Sequence, residues 1–397
     1  MKILMVSRWI WEEQRRSAGK PGFFAELAQA VARKGIDLTL LSQAEDVGLV
    51  PRSRPFAGLK IHVFSRDGRS VALTALDKIV KPWGGYRKAV TDAAVIRRFV
   101  RQHGPFDGVV AQCEEPDGLS CALASLAGSF PPLVTQVHDL RYRFDGNEVH
   151  FIKKSSLGFI FKRSARVVAN SFQTAGWLRN EYGVPEDKIG QCRIHLTAPF
   201  LEMAARRAVD AARSEKRILF LGALNRKKAP DIFLRAAGQL ASQLPGWTFA
   251  LVGPETSDDP AFREELKKIA ADPLLAQRVE WLGRLESTAV IDQIRRARVV
   301  VCPSRIETFS RTTIEALALG RPVIVSKTTG AAFWVKSTRA GSVVPPNDPE
   351  ALARAILDWT KRKAPPSSET VCSQLTASQA ADDLIAEIKK AIASRRP

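Results

Sequence analysis

Short apolar runs alternate with amphipathic stretches along nearly the whole chain. Lys2–Val6 reads as a strand, Ser7–Gly22 as a polar loop, and Phe23–Lys34 as an amphipathic helix stopped by Gly35. Ile36–Leu41, Leu59–Phe64, Gly108–Ala111, Leu133–Gln136 and Val167–Asn170 read as further strands with helices between them. A polar connector rich in Ala and Arg is expected over Leu201–Ser214, and the alternation then restarts. Strands are expected at Arg217–Leu221, Thr248–Val252, Val279–Leu282, Val299–Val301, Pro322–Val325 and Gly341–Val344. Helices are expected at Asp231–Gln243 and Phe262–Ala271. Such βα alternation predicts parallel sheets wrapped by helices. The fold class expected is α/β, with two Rossmann-like, doubly wound domains facing across a cleft. The expected divisions are residues 1–205, a linker at 206–215, a second domain at 216–375 and a terminal helix from 376. In Ala377–Ile392 the residues Leu384, Ile385, Ile388 and Ile392 form an apolar stripe expected to cross back to the first domain.

A length of 397 residues supports this division, because one core rarely serves more than about 100–200 residues. The five cysteines show no C-x-x-C spacing, which suits reduced thiols in a cytosol-like compartment. No apolar run approaches the roughly 20 residues of a spanning helix, and Arg8 interrupts the N-terminal run before it could serve as a secretion signal.

Charge changes the picture more. The formal net charge is +19, and residues 52–103 carry twelve Lys/Arg against three Asp. A second basic and aromatic stretch covers residues 141–166, with Phe151, Phe159 and Phe161 among its lysines and arginines. A solvated outer face over core-facing residues would account for such helices one at a time. The size of the excess points instead to an anionic partner, a lipid surface or a glycan. Binding to nucleic acid is not expected, since no DNA- or RNA-binding module is recognisable.

Candidate chemistry centres on Glu307 and Glu315, eight positions apart. Val299–Val301 precede them as a buried strand, and Ile314, Leu317 and Ala318 follow at helical spacing. One acid therefore falls on the loop leaving a strand and the other in the first turn of the next helix. Ligands bind in that crevice in open α/β sheets, and the helix start favours anions. Two acids there suit the hydroxyls flanking a diphosphate, as in a sugar nucleotide. Plainer readings stand beside this one. Thr312-x-x-Glu315 fits a capping box, and Glu307 could be a solvated loop acid.

The second half resembles the nucleotide-binding half of GT-B-fold retaining glycosyltransferases of glycosyltransferase family 4. Glu307 and Glu315 match that family's E-x7-E motif, and Ile218–Lys228 resembles its diphosphate-gripping loop. Leu251-Val252-Gly253, Trp281-Leu282-Gly283-Arg284 and Gly341–Ala353 are similar to its later segments. In the first half, Gly19-x-x-Gly22, Val137-His138-Asp139, Asn170-Ser171 and Tyr182–Ile189 match more loosely.

The resemblance implies that Glu315 holds the ribose and Glu307 the transferred sugar. N–H groups around Phe309, Ser310, Arg311 and Thr312 would face the diphosphate, and Lys228, with Arg226, would neutralise it as it leaves. Gly19, Gly22 and Gly222 would admit the phosphates closely. Gly253 and Arg284 would lie near the base, and His138 beneath the sugar. No metal or other cofactor is implied, since no Asp-x-Asp stands at a strand end, and transfer with retention is expected. The expected acceptor is a lipid-linked saccharide or growing cell-surface polysaccharide (lipopolysaccharide or exopolysaccharide), at the cytoplasmic face of a membrane. A small sugar acceptor and a non-catalytic sugar-nucleotide-binding role are the alternatives. The sequence departs from the family at Ala223, where an Arg is usual, at Thr308 and Ser310, where glycines are common, and at Phe333, where an acid is usual.

Overall fold

The computed structural model describes all residues except 9, 11–21, 44–51, 57, 65–83, 139, 141–148, 206–213, 257–258, 363–368 and 395–397. Of residues 52–56, 84–88 and 149–153 it describes the backbone. Two compact units result, Met1–His195 with Ala377–Pro397, and Leu196–Thr376.

The first unit holds β1 (Lys2–Val6), β2 (Asp37–Gln43), β3 (Arg52–Phe56), β4 (Leu59–Phe64), β5 (Gly108–Ala111), β6 (Leu133–Val137), β7 (Arg166–Ala169) and β8 (Ile189–Gln191). Its helices are α1 (Phe23–Arg33), α2 (Gly84–His103), α3 (Leu119–Ala124), α4 (Val149–Arg163) and α5 (Phe172–Tyr182). The sheet order is β3-β4-β2-β1-β5-β6-β7-β8, parallel except where β3 pairs with β4. β1 explains why both faces are covered. Leu4 and Val6 point into one apolar cluster with Ile96, Phe99 and Phe161, and Ile3 and Met5 into another with Leu27, Leu384 and Ile388. That two-residue alternation with every position apolar marks a strand buried on both sides.

The second unit begins with α6 (Ala198–Ala205), then β9 (Arg217–Leu221), α7 (Pro230–Leu240), β10 (Thr248–Val252), α8 (Pro260–Ala270) and β11 (Val279–Gly283). α9 (Ser287–Arg296), β12 (Val299–Cys302), α10 (Arg311–Ala318), β13 (Val323–Ser326), α11 (Ala332–Thr338) and β14 (Gly341–Val344) follow. α12 (Pro349–Lys361) and α13 (Glu369–Gln374) complete it. Its all-parallel sheet has the order β11-β10-β9-β12-β13-β14. The chain winds outward from β9 to β11, then returns to β12 and winds the other way. The carboxyl ends of β9 and β12 are therefore its switch point, the usual ligand position in such sheets.

The last helix, α14 (Ala377–Ala393), belongs to the first unit. Its buried stripe includes Ala381, Leu384, Ile385 and Ile388. Glu387 on the same helix bonds Arg166 Nε at 2.6 Å, and Asp383 takes a two-pronged bond from Arg193 at 2.6 and 2.9 Å.

One expectation is corrected here. Leu201–Ser214 is not simply a connector, because Ala198–Ala205 is helical, buries Phe200 and packs in the second unit. Its Ala-rich composition favours helix over coil. In the basic stretches the described side chains separate apolar from charged. On α2, Phe99 is buried while Arg97, Arg98 and Arg101 are exposed, and on α4 Phe161 is buried. Much of 52–103 and 141–166 lies outside the described residues. Among those described, no helix is long and apolar enough to cross a membrane.

Candidate functional site

The loop leaving β9 is shaped by its approach to the neighbouring strand. Gly222 N–H donates to Val252 O at 3.0 Å, and Leu224 N–H to Pro254 O at 2.9 Å. Gly253 has φ +151°, and a Cβ there would stand 2.0 Å from Gly222 O. Only glycine fits both the dihedral and the contact. After Leu224 the chain turns on Asn225, whose side-chain oxygen accepts from Lys228 N–H at 3.0 Å. Ala229 then takes φ +57° ahead of Pro230, the first residue of α7. This turn presents the Lys228 side chain.

The loop leaving β12 is pinned to the loop after β13. Glu307 N–H donates to Thr328 O at 3.1 Å, Gly330 N–H to Glu307 O at 3.0 Å, and Ala331 N–H to Phe309 O at 2.7 Å. Thr308, Phe309 and Ser310 are buried. Ser310 stands at φ +84°, the region that favours glycine, so serine holds there a backbone turn that glycine adopts without strain. Its hydroxyl lies 3.1 Å from that of Thr312 and 2.9 Å from that of Thr313, which ties the turn to the first turn of α10.

These loops bring Lys228 and Glu307 together as an ion pair. Glu307 is 9% exposed, so it is not a solvated loop acid. Glu315 lies one turn into α10. The helix begins at Arg311 behind Ser310, which puts Thr312 inside the first turn rather than at its cap. The capping-box reading therefore fails, and no hydrogen bond to the Glu315 carboxyl is found among the described residues. Burial pushes that carboxyl above its ordinary range against the opposing pull of Arg311.

Arg226 is drawn over α8, donating to Asp259 at 2.9 Å with its guanidinium 4.5 Å from the Phe262 ring centre. Arg284 is exposed after β11, beside Gly283, whose carbonyl accepts from Gly253 N–H at 2.8 Å. Gly22 precedes α1 in the first unit, and its carbonyl accepts from Glu26 N–H at 2.9 Å. Gly19 lies outside the described residues.

His138 follows β6 in the first unit, edge-on to Phe24 with ring centres 5.2 Å apart. Its backbone is gripped at both ends, N–H by Glu114 Oε2 at 3.0 Å and C=O by Asn170 Nδ2 at 3.3 Å. Glu114 escaped the sequence reading, as did Arg305 and Asp231 in the second unit. None of the three has a spacing that marks it. Among the described residues no cluster of three His, Cys, Asp or Glu is placed to hold a metal ion.

The two units also match two family models. Residues 23–190 match Glycosyltransferase Family 4, and residues 203–373 match Glycosyl transferases group 1. This chain is a GT-B glycosyltransferase of the group 1, family 4 type. Among curated relatives, a D-inositol 3-phosphate glycosyltransferase of Acidothermus cellulolyticus is 28% identical over 84% of this chain and 76% of its own length. Among solved structures, Anabaena HepE in complex with UDP aligns over 99% of both chains at 19% identity and a TM-score of 0.63. The alpha,alpha-trehalose 6-phosphate synthase of Burkholderia multivorans aligns over 100% of this chain and 99% of its own, at 13% identity and a TM-score of 0.71. At these identities the two structures bear on the GT-B fold alone.

Proposed function

We propose that this glycosyltransferase moves a sugar from a nucleoside-diphosphate donor to a hydroxyl of a small anionic acceptor, with retention at the anomeric carbon. The observation that carries the proposal is the Lys228–Glu307 pair at the switch point of the second sheet, with Glu315 one turn into the helix that follows Glu307. Glu315 accepts hydrogen bonds from the ribose, and Glu307 from hydroxyls of the transferred sugar. The start of α10 and Lys228 face the diphosphate. When the bond from the anomeric carbon to the phosphate oxygen breaks, its electron pair leaves with the diphosphate, and Lys228 balances the charge that develops. The acceptor oxygen bonds the anomeric carbon on the face the diphosphate leaves, and its proton passes to the departing phosphate oxygen. Arg226 is occupied by Asp259, so Lys228 rather than Arg226 supplies that balancing charge.

A small anionic acceptor is supported by the curated relative named a D-inositol 3-phosphate glycosyltransferase and by the net charge of +19. UDP, the nucleotide in the HepE complex, is the first donor nucleotide to try. The test is a panel of UDP-, GDP- and ADP-sugars, first for thermal shift and then for transfer to inositol phosphates and sugar phosphates, with the product anomer read by NMR. Inversion of configuration would remove the front-face mechanism. Binding without turnover on any acceptor would favour the non-catalytic reading.

A lipid-linked acceptor at a membrane surface is the second reading, favoured by the basic excess of residues 52–103. It expects sedimentation with anionic liposomes at low salt and release at high salt. Failure to sediment at low salt removes it.

A further inference from the structure

We propose that Arg305 and Asp231 are positioning residues, a brace that sets Lys228 against the donor diphosphate; this rests on the function proposed above. Arg305 lies on the loop after β12, two residues before Glu307. Asp231 lies in the first turn of α7, three residues after Lys228. The guanidinium meets the carboxylate with two parallel bonds, Nη1 to Oδ1 at 2.9 Å and Nη2 to Oδ2 at 2.5 Å. This fork-to-fork geometry fixes orientation as well as distance. Nη1 also donates to Arg226 O at 2.6 Å, and Arg305 N–H donates to Lys227 O at 2.8 Å. One residue thus holds the segment 226–231 at three places, two on the N-terminal side of Lys228 and one beyond it.

The segment needs holding. Ala229 sits at positive φ without being glycine, a conformation that persists only where the surroundings impose it. On its other side the loop is fixed through Gly222 to the end of β10 and through Leu224 to Pro254 just after it. The brace supplies the second anchor, and it is well shielded, with the Asp231 side chain 5% and that of Arg305 20% exposed. Lys228 lies between the anchors, and its long side chain ends at Glu307 on the loop that carries Arg305. The brace thus couples the two loops on the far side of Lys228 from the Lys227 backbone bond, in addition to the Lys228–Glu307 pair. For a charge that must match a developing phosphate charge, misplacement by about 1 Å can lower the rate on the order of 100-fold.

Arg305→Lys, Arg305→Ala and Asp231→Asn test this. A lysine keeps the charge but not the fork, so Arg305→Lys is expected to lose nearly as much as Arg305→Ala. Each variant is expected to lose kcat by about 10- to 100-fold, with donor KM changed less than about threefold. The Arg305→Ala/Asp231→Ala double variant is expected to lose no more than the worse of its two single variants. Amide exchange at Lys228 and Ala229 should quicken in Arg305→Ala while exchange within β9 stays unchanged. A lowered melting temperature with full kcat and unchanged loop exchange would make the pair a mere staple and overturn the proposal. Should the wild-type protein turn over no sugar nucleotide, the transferase reading fails by itself. The brace then stands or falls on loop exchange, and unchanged exchange in Arg305→Ala sinks it.

Discussion

Lys228 and Glu307, 79 residues apart in sequence, meet as an ion pair between the loops that leave β9 and β12. The pair joins a cation suited to a leaving diphosphate to an acid suited to sugar hydroxyls. Lys228→Ala and Glu307→Gln are each expected to lower kcat/KM by about 10²- to 10³-fold, the scale of removing one preorganised charge-stabilising group. Because the two touch, the double variant should lose less than the product of the single losses. Steady-state kinetics on the best donor and acceptor measure both effects. Wild-type rates in both single variants would mean that the site lies elsewhere.

Glu315 gives the site a pH dependence whose sign follows from its burial. Its folded pKa is raised above the ordinary 4.5. Its contribution to stability is therefore fully present below that value and lost as pH rises through the raised pKa. Ribose hydroxyls donating to the carboxylate favour the ionised form, so nucleotide binding should release a proton. Affinity for the nucleoside diphosphate is expected to fall as pH drops through the raised pKa. Glu315→Gln should bind more weakly and flatten this profile. Calorimetric titration in buffers of different ionisation enthalpy counts the proton, and no proton release would contradict the ribose role.

Gly253 tests the backbone side of the site. Alanine there would need both a shift of Gly222 O, only 2.0 Å from the new Cβ, and a dihedral that L-residues avoid. A loss of about 1–3 kcal/mol is expected, the usual cost of one strained position. The loop from Gly222 to Lys228 should move with it. A urea titration reads the stability, and a nucleotide thermal shift reads the loop. Gly246→Ala is the comparison. It also has positive φ but meets nothing within 4 Å, so it should lower stability without reducing the nucleotide shift.

Sequence revealed what lies in continuous apolar runs and in loops beside them. β1, β9, β10 and β12 are such runs, and the loops after β9 and β12 fall where the pattern puts them. β3, of sequence Arg-Ser-Arg-Pro-Phe, has no apolar run and contains a proline tolerated at a sheet edge, so only its pairing with β4 reveals it. The capping box failed because Ser310 takes a positive φ and starts the helix earlier than Thr312 would. Spacing cannot carry that information, since it depends on how the Glu307 loop is pinned to Thr328 and Gly330. Arg226 looked equivalent to Lys228 in sequence, and only the position of α8, with Asp259 and Glu265, draws it away. Arg305 and Asp231 were invisible for the same reason, being partners 74 residues apart.

Two ion pairs on α14 should differ sharply in worth despite similar distances. Asp382 meets Lys34 at 2.7 Å with 61% of its side chain exposed, whereas Glu387 meets Arg166 with 7% exposed. Exposed pairs exchange one hydrated state for another and contribute about 0–1 kcal/mol. Removing one partner of a buried pair strands the other charge and costs about 3–5 kcal/mol. Glu387→Ala is therefore expected to lower the urea stability of the first unit by about that amount, and Asp382→Ala by less than about 1 kcal/mol. Gly190→Ala should mimic Glu387→Ala in part, because its new Cβ would collide with the Glu387 carboxylate. Comparable losses from Asp382→Ala and Glu387→Ala would mean that α14 is held by its apolar stripe alone. A stable first unit in a chain ending at Thr376 would remove even that role, since Leu384 and Ile388 fill the core cluster that Ile3 and Met5 enter from β1.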